Sequence, residues 1–156
     1  MSKQRSLNYI DNKLLESELH KFSESYKKDV KKIMDEQKIN KKLAEKKAKG
    51  NISDELGIMF LRIAYNLSNK HNFNNYTYKD EMIGLGIEYM CRFAKKFDIT
   101  KNNCNGFSYC TQICNNGFIQ AIQKEQNISK KKDEIIKENM LISELDKWAT
   151  EKGKKI

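Results

Sequence analysis

The sequence contains no proline and only seven glycines in 156 residues. Because tight turns depend on these two residue types, their scarcity disfavours a β-rich fold and leaves helices uninterrupted. Long apolar runs are also missing, since the longest, from Gly57 to Leu67, contains Arg62 and falls short of the ~20 residues that span a bilayer. The N-terminal segment has no apolar core and no cleavage-like site, so no signal peptide is expected. The sequence predicts a basic cytosolic protein that does not enter a membrane.

Features of an enzyme are absent from the sequence as well. There is no Gly-rich phosphate loop, no HExxH motif and no pair of carboxylates in an apolar setting. His71 follows Lys70 at the end of an apolar-periodic segment, where a capping or solvated histidine is the ordinary interpretation. We expect a protein that is not an enzyme and that needs no cofactor.

The four cysteines lie close together in the sequence, at Cys91, Cys104, Cys110 and Cys114. Because nothing indicates export, thiols are expected rather than disulfides. A zinc site is one interpretation and packing in the core is the other. The irregular spacing and the absence of a nearby histidine favour packing, so no metal is expected.

What the sequence has in abundance is positive charge, and it is unevenly distributed. The chain carries 30 Lys and Arg against 21 Asp and Glu, a formal net charge of +9. Residues 1–50 hold 14 basic and 8 acidic side chains, whereas residues 102–123 hold no charged side chain. Lysine and arginine suit phosphates, while base edges and buried partners need neutral side chains. The uncharged run is therefore the most informative part of the sequence.

Apolar periodicity predicts an all-α fold of about five helices, with a long N-terminal helix and a basic C-terminal helix. The predicted helices cover residues 12–47, 53–71, 77–97, 107–126 and 129–150, with Ser53 and Ser129 as N-caps. The corresponding division of the chain is a basic N-terminal arm (1–50), a helical core (51–126) and a C-terminal helix with a basic tail (127–156).

Each predicted helix after the first has an apolar stripe that we expect to be buried. In the second helix the stripe consists of Leu56, Met59, Phe60, Ile63, Ala64 and Leu67. In the third it consists of Met82, Ile83, Ile87, Met90, Phe93, Ala94 and Phe97. In the fourth it consists of Phe107, Cys110, Cys114, Phe118, Ala121 and Ile122, and in the fifth of Ile135, Ile136, Met140, Leu141, Leu145 and Trp148.

The opposite face of the fourth helix carries amide and aromatic side chains, namely Tyr109, Gln112, Asn116, Ile119 and Gln120. Asn and Gln can hydrogen-bond to base edges, and a Tyr ring can stack on an unpaired base for roughly 1–3 kcal/mol. An ordinary solvent-exposed polar face explains the same pattern, and periodicity alone favours that explanation. Both interpretations stay open at this point.

The segment from Glu81 to Asp98, followed by Phe107-Ser-Tyr-Cys-Thr, resembles the second conserved region of sigma-70 family factors. That region reads Asp-Leu-Ile-Gln-Glu-Gly, then a helix ending in Lys-Phe-Asp, then Phe-Ser-Thr-Tyr-Ala-Thr. The resemblance is closer to the late-transcription sigma factors of T-even-type bacteriophages. It covers about residues 8–126 as an ordered series that includes Asn8-Tyr9-Ile10, Gly57-Ile58-Met59, Leu67-Ser68-Asn69-Lys70 and Tyr109-Cys-Thr-Gln-Ile-Cys.

The resemblance implies that the third helix docks on the clamp helices of the β′ subunit of the host bacterial RNA polymerase core, in the host cytoplasm. The residues that match the docking face are Glu81, Gly84, Leu85, Ile87 and Cys91. Where the family has a polar Gln-Glu pair, this chain has Gly84-Leu85, which makes the expected contact more apolar.

The resemblance also implies that the fourth helix reads and melts the promoter minus-ten element. Tyr109 matches the tyrosine that stacks on a flipped adenine of the non-template strand. Gln112-Ile113 replace a pair of tryptophans that wedge open the duplex, so weaker melting is expected. The full set of residues implied in DNA binding is Phe107, Tyr109, Gln112, Ile113, Asn116, Ile119, Gln120 and Lys124.

The chain is too short to include the family's helix-turn-helix that reads the minus-thirty-five element, so another contact must add affinity. In phage late sigma factors a C-terminal hydrophobic-acidic segment binds the replication sliding clamp, and a late co-activator is a further partner. The matching candidate is Leu141, Ile142, Leu145 and Trp148, although a plain amphipathic helix fits the same residues. Two other functions are considered, a helical adaptor that binds polymerase or the clamp without reading DNA, and a repressor of duplex DNA.

Overall fold

The structure, a computed structural model, describes residues 9–101 and 105–153. Among these residues the regular secondary structure is helical, with no β-strand, so the predicted all-α fold is confirmed. The helices are α1 (Asn12–Gln37), α2 (Lys41–Lys47), α3 (Asp54–Ser68), α4 (Lys79–Phe93) and α5 (Gly106–Gly153), with a short 3₁₀ turn at Ala94–Lys96. The chain divides into two compact units, with the boundary between Gln120 and Ala121. The division into segments 1–50, 51–126 and 127–156 stays a prediction.

The prediction of one helix over residues 12–47 is wrong, because the helix is interrupted after Gln37. Lys38 has a left-handed backbone with φ of 49°, which ends α1. Asn40 then starts α2, and its side-chain oxygen accepts a hydrogen bond from the Leu43 N–H at 3.0 Å. The two helices pack together through a small apolar cluster of Tyr26, Val30, Ala44 and Ala48.

Gly50 allows the chain to pass close to α1. Its φ is 75°, and a Cβ atom at this position would lie 2.9 Å from Cε2 of Phe22. The Gly50 N–H donates to the Asp29 carboxylate at 3.0 Å. Glycine is therefore required both by the backbone conformation and by the lack of space.

Helix α3 starts where the sequence predicts and is linked to α1 by a buried carboxylate. Ser53 is its N-cap, accepting from the Leu56 N–H at 3.2 Å, so this cap is confirmed. The Ser53 hydroxyl in turn donates to Glu18 at 2.6 Å, and Glu18 also accepts from Lys21 at 2.6 Å. The whole predicted stripe of α3 is buried. These contacts lower the pKa of Glu18, chiefly through the hydrogen bonds from Lys21 and Ser53.

Helix α4 is shorter than the predicted 77–97, and its buried stripe is only partly as expected. Met82, Met90, Ala94 and Phe97 are buried, as predicted. Phe93 is 41% exposed, so its predicted burial is wrong. Phe93 is the last residue of α4, its φ of −112° departs from that of an ideal helix, and a 3₁₀ turn follows at Ala94–Lys96.

Helices α4 and α5 cross at two glycines. A Cβ atom on Gly86 would lie 2.5 Å from Cε1 of Phe118, and one on Gly117 would lie 2.8 Å from Cα of Gly86. Because the obstructing atoms at Gly117 belong to the backbone, no side-chain rotation can relieve that clash. The close approach lets Cys114 and Phe118 pack fully against α4.

The sequence predicts two helices after residue 106, but the structure has one. Ser129 lies inside α5 and is not an N-cap, because no glycine or proline between Gly117 and Gly153 ends the helix. Of the predicted stripe of the fourth helix, Cys110, Cys114 and Phe118 are buried. Phe107 is 42% exposed and is a correction to that stripe.

In the second unit, every residue from 129 to 153 is exposed. The apolar residues predicted to form the stripe of the fifth helix are therefore on the surface, and their burial is not observed. These residues are Ile135, Ile136, Met140, Leu141, Leu145 and Trp148. Within the described ranges, no helix has a stretch long and apolar enough to cross a membrane.

Candidate nucleic-acid interface

The start of α5 is held by side chains of α1. The Gly106 N–H donates to Glu16 Oε1 at 3.0 Å, and the Phe107 N–H donates to Asn12 Oδ1 at 3.0 Å. The Asn12 amide also donates to Glu16 Oε1 at 2.9 Å, which fixes both acceptors relative to each other. Because the first N–H groups of a helix have no partner within the helix, α1 supplies what α5 lacks. The first turn of α5 is thereby fixed in position.

The outward side of α5 in the first unit has an uncharged surface, which we call the neutral face. It is defined by Tyr109, Gln112, Ile113, Asn116, Ile119 and Gln120. Gln112 and Asn116 are exposed one helical turn apart, and the Gln112 amide donates to Asn116 Oδ1 at 3.3 Å. Ile119 is 40% exposed beside them. The predicted grouping of these side chains on one surface is what a helix over these residues produces.

Tyr109 is positioned by contacts behind it. Its ring packs on Phe97 with the ring centroids 5.4 Å apart, and its hydroxyl donates to the Phe93 carbonyl at 3.4 Å. The side chain remains half-buried. A ring already held in one orientation loses little conformational entropy when another ring stacks on it, which favours binding of an unpaired base.

Phe107 lies on a different side of α5 from Tyr109, because two residues turn a helix by about 200°. It borders a cleft of about 420 Å³ between the loop after α3 and the first turns of α5. The residues that line this cleft are Leu67, Lys70, Asn72, Phe73, Phe107, Ser108, Thr111, Gln112 and Asn115. Gln112 belongs both to the cleft and to the neutral face, so the two surfaces are continuous.

The cleft combines side chains that suit a nucleotide. Asn72, Gln112 and Asn115 offer amides and the Phe107 ring offers an apolar surface. Lys70 is the only charged residue among the described residues of the lining. Among the described residues, the hydroxyl oxygen of Thr111 is buried without a hydrogen-bond partner. A buried hydroxyl without a hydrogen-bond partner destabilises the folded protein. Its presence is typical of a side chain with a role in binding.

Sequence reasoning missed Lys70, Asn72, Thr111 and Asn115. The loop that contributes the first two is brought to α5 by Phe73, whose ring contacts Phe118 edge-to-face with the centroids 5.1 Å apart. The asparagine-rich composition of residues 72–75 was the available signal, but only the tertiary contact shows which helix it approaches. Lys124, predicted to contact a phosphate, is exposed in the second unit.

The residues implied in polymerase docking lie on the surface of α4. Glu81 and Gly84 are exposed, while Leu85, Ile87 and Cys91 are half-buried. A Cβ atom on Gly84 would meet nothing within 4 Å, unlike one on Gly86. Glycine in a helix interior destabilises the helix by roughly 0.5–1 kcal/mol relative to alanine. Since an alanine at position 84 would meet no neighbouring atom, the packing of α4 does not explain why this residue is glycine. A partner that approaches the backbone closely does explain it.

Helix α3 carries an apolar surface that the sequence analysis did not identify. Ile58, Leu61 and Tyr65 are 48%, 53% and 58% exposed at three- and four-residue spacing. This spacing places them on one side of α3, opposite its buried stripe. An apolar row of this kind is more favourably packed against another helix than exposed to water.

The described cysteines are packing residues in the first unit. Cys110 and Cys114 are buried, and burial raises the pKa of the Cys114 thiol to about 12. Burial also raises the pKa of Cys91, so both thiols stay protonated near neutral pH. Within the described residues, no group of three or more His, Cys, Asp or Glu could hold a metal ion. Cys104 lies outside the described residues.

Comparisons of the chain with protein-family models, with curated proteins and with solved structures find no match. The function is therefore inferred from the surfaces described above and from the sequence resemblance.

Proposed function

We propose that the protein is a sigma factor for phage late transcription. It binds the core of the host bacterial RNA polymerase through the β′ clamp helices, in the host cytoplasm. It directs the enzyme to late promoters with an A·T-rich minus-ten element and assists their opening. A·T-rich DNA contains flexible TA steps and is easily opened, which suits a chain without the tryptophan wedge.

The observation that carries the proposal is the neutral face and the cleft beside it. In a chain of net charge +9, residues 102–123 are uncharged. The structure brings exposed amides of this run, at Gln112 and Asn116, next to the half-buried Tyr109 ring. Amides and a held aromatic ring suit bases that have left the duplex, whereas duplex phosphates would require lysines.

A second support is that a separate surface is suited to a protein partner. Gly84 on α4 leaves open space above the helix backbone, and Leu85 and Ile87 lie half-buried next to it. Small residues let two helices approach closely, and apolar neighbours then provide the contact area. The base-contacting and polymerase-contacting roles are thereby assigned to different helices, which makes them separable by mutation.

Run-off transcription tests the proposal. Purified bacterial core polymerase is given a template with an A·T-rich late promoter, with and without the full chain. We expect a promoter-dependent product only with the chain. Absence of a product, even on a template with a pre-melted minus-ten element, would contradict the proposal.

Variants of the neutral face then test the base contacts. The double change of Gln112 and Asn116 to Ala is expected to lower promoter opening at least tenfold, whereas Asn139→Ala, an exposed amide in the second unit, is expected to change it less than twofold. Tyr109→Phe keeps the ring and is expected to retain opening, while Tyr109→Ala weakens opening more than polymerase binding. Equal losses in opening and in binding would contradict the stacking role.

The second candidate function is a helical adaptor that binds polymerase or the sliding clamp without reading DNA. The observation in its favour is the exposed apolar set in the second unit, which includes the clamp-binding candidates Leu141, Ile142, Leu145 and Trp148. An adaptor predicts that the neutral-face variants keep full function while Leu85→Asp abolishes polymerase binding. The matched control is Leu14→Asp, since Leu14 is an exposed leucine on α1. A late co-activator, if required, would be detected by adding it to the same assay.

A further inference from the structure

A groove in the first unit has the opposite chemistry to the neutral face. It has a volume of about 780 Å³ and lies between α1, the start of α2 and the segment after α4. Buried Tyr26, Val30 and Phe97 form part of its lining. Six lysines surround it, namely Lys27, Lys28, Lys31, Lys41, Lys95 and Lys96. We call it the lysine groove.

The described residues of the lysine groove carry more positive than negative charge, since six lysines line it with three acidic residues. The acidic residues are Glu24, Glu45 and Asp98. Glu24 forms an ion pair with Lys27, with 2.8 Å between Oε1 of Glu24 and Nζ of Lys27. Asp98 accepts hydrogen bonds from the backbone N–H and the hydroxyl of Thr100. No ion pair in the described part of the chain involves Lys28, Lys31, Lys41 or Lys96.

Lys95 shows that the lysines are crowded. Its ammonium lies 4.4 Å from the centre of the Tyr26 ring and donates to the Ala48 carbonyl at 3.1 Å. Desolvation lowers the pKa of Lys95, and the nearby charges of Lys96 and Arg92 lower it further. A bound anion would offset the repulsion between Lys95 and these neighbouring positive charges, which favours anion binding in the groove.

The lining residues decide what kind of anion fits. Among the described residues that line the groove there is no Asn, Gln, Arg or His side chain, so this part of the lining has no group suited to read base edges. Its rings at Tyr26 and Phe97 are buried and cannot stack on bases. Lysine ammonium groups are point charges that attract phosphates without regard to sequence. Positively charged grooves that follow the backbone bind single strands without sequence preference, and a groove of about 780 Å³ has room for a few nucleotides.

We propose that the lysine groove binds the sugar–phosphate backbone of single-stranded nucleic acid, independently of sequence. The Phe97 ring links it to the neutral face, because it lines the groove and packs on Tyr109 at 5.4 Å. Bases and phosphates are thus received by separate surfaces of the first unit. The inference does not depend on the proposed function, since the chain alone should bind a strand.

The test measures binding of a fluorescein-labelled dT₁₂ strand to the full chain by anisotropy, at several salt concentrations. Changing Lys28, Lys31 and Lys96 to Gln is expected to lower affinity at least tenfold. It should also reduce the slope of log K against log salt by about 2, since each phosphate contact on a single strand contributes roughly 0.7. Circular dichroism checks that the variant is folded.

The matched control removes the same charge elsewhere, by changing Lys130, Lys131 and Lys132 in the second unit to Gln. We expect less than a threefold loss of affinity. Equal losses in both triple variants would overturn the proposal, because net charge alone would then explain binding. Binding of dT₁₂ should protect the groove lysines Lys28, Lys31 and Lys96 from acetylation, and protection of Lys130–Lys132 instead would overturn the proposal too.

Competition identifies the source of the phosphates. Unlabelled dT₁₂ is expected to displace the probe at much lower phosphate concentration than inorganic tripolyphosphate, poly-glutamate or a duplex of the same length. Stronger competition by tripolyphosphate would assign the groove to free polyphosphates, and stronger competition by poly-glutamate would assign it to acidic peptides. Either result would overturn the proposal, whatever the outcome of the transcription assay.

Discussion

Both parts of α5 carry apolar side chains, but these side chains have opposite surroundings. In the first unit, Cys110, Cys114 and Phe118 are completely buried. In the second, Leu145 and Trp148 are 56% and 58% exposed. An apolar stripe in a sequence indicates that a helix face is suited to apolar contacts, but it does not show whether those contacts lie within the same unit. The first stripe is part of the core of the first unit, whereas the second is exposed.

The two parts of α5 should differ most in how much the free energy of unfolding falls when an apolar side chain is truncated to alanine. Phe118→Ala should lower the free energy of unfolding by about 3–5 kcal/mol, because it leaves a cavity against Gly86 and Phe73. Leu145→Ala should change it by less than about 0.5 kcal/mol, since the side chain is exposed. Urea unfolding of both variants measures this. Similar losses would show that the second part is packed after all.

Substitution of two glycines tests how closely α4 and α5 pack in the first unit. Gly117→Ala should lower the free energy of unfolding by about 1–3 kcal/mol, because its Cβ atom would lie 2.9 Å from the Leu85 carbonyl oxygen. Gly84→Ala is the matched control and should raise stability by about 0.5–1 kcal/mol, since nothing lies within 4 Å. Thermal unfolding distinguishes them. A stabilising Gly117→Ala would mean that the helices do not cross this closely.

Acid should affect the packed part through Glu18, a buried carboxylate with lowered pKa. Because its pKa is depressed in the folded state, its stabilisation is present above the unfolded value of about 4.5 and is lost as pH falls further. Unfolding free energies measured between pH 7 and pH 3 should decrease, and Glu18→Gln should flatten this decrease. Glu24→Gln, which removes an exposed paired carboxylate, should flatten it less. The reverse order would contradict the buried role.

Only a small change in stability is expected at Thr111. Thr111→Val keeps the shape and removes a hydroxyl that has no partner among the described residues, so stability should stay within about 1 kcal/mol or increase. If the hydroxyl serves a bound nucleotide, promoter opening falls although the fold is unchanged. Chemical unfolding and the transcription assay are measured on the same preparation. A clearly destabilised variant would show that the hydroxyl has a structural partner.

Much of the fold could be predicted from local sequence signals. Ser53 as a cap and the whole α3 stripe are confirmed, because cap chemistry and periodicity are local properties. The break at Lys38 was missed, since lysine rarely adopts the left-handed conformation, although Asn40 was an available signal. The continuous α5 was missed because a serine followed by charged residues looks like a helix start even within a helix.

The candidate interface was predictable only in part, for a physical reason. The neutral face follows from the spacing within one helix, so its members could be listed from the sequence. The cleft joins α5 to the loop at Asn72, and the lysine groove joins Lys31 on α1 to Lys96 after α4. Surfaces assembled from segments far apart in the chain depend on tertiary packing, which periodicity does not specify.

The hydrogen bonds from α5 to α1 have a consequence for biosynthesis. Asn12 and Glu16 leave the ribosome about 90 residues before the backbone groups of Gly106 and Phe107 that they receive. During translation these two side chains lack these partners, and the hydrogen bonds that fix the first turn of α5 form only after Gly106 and Phe107 have emerged. The helix that carries the proposed DNA contacts therefore acquires its final start only after most of the first unit has been synthesised.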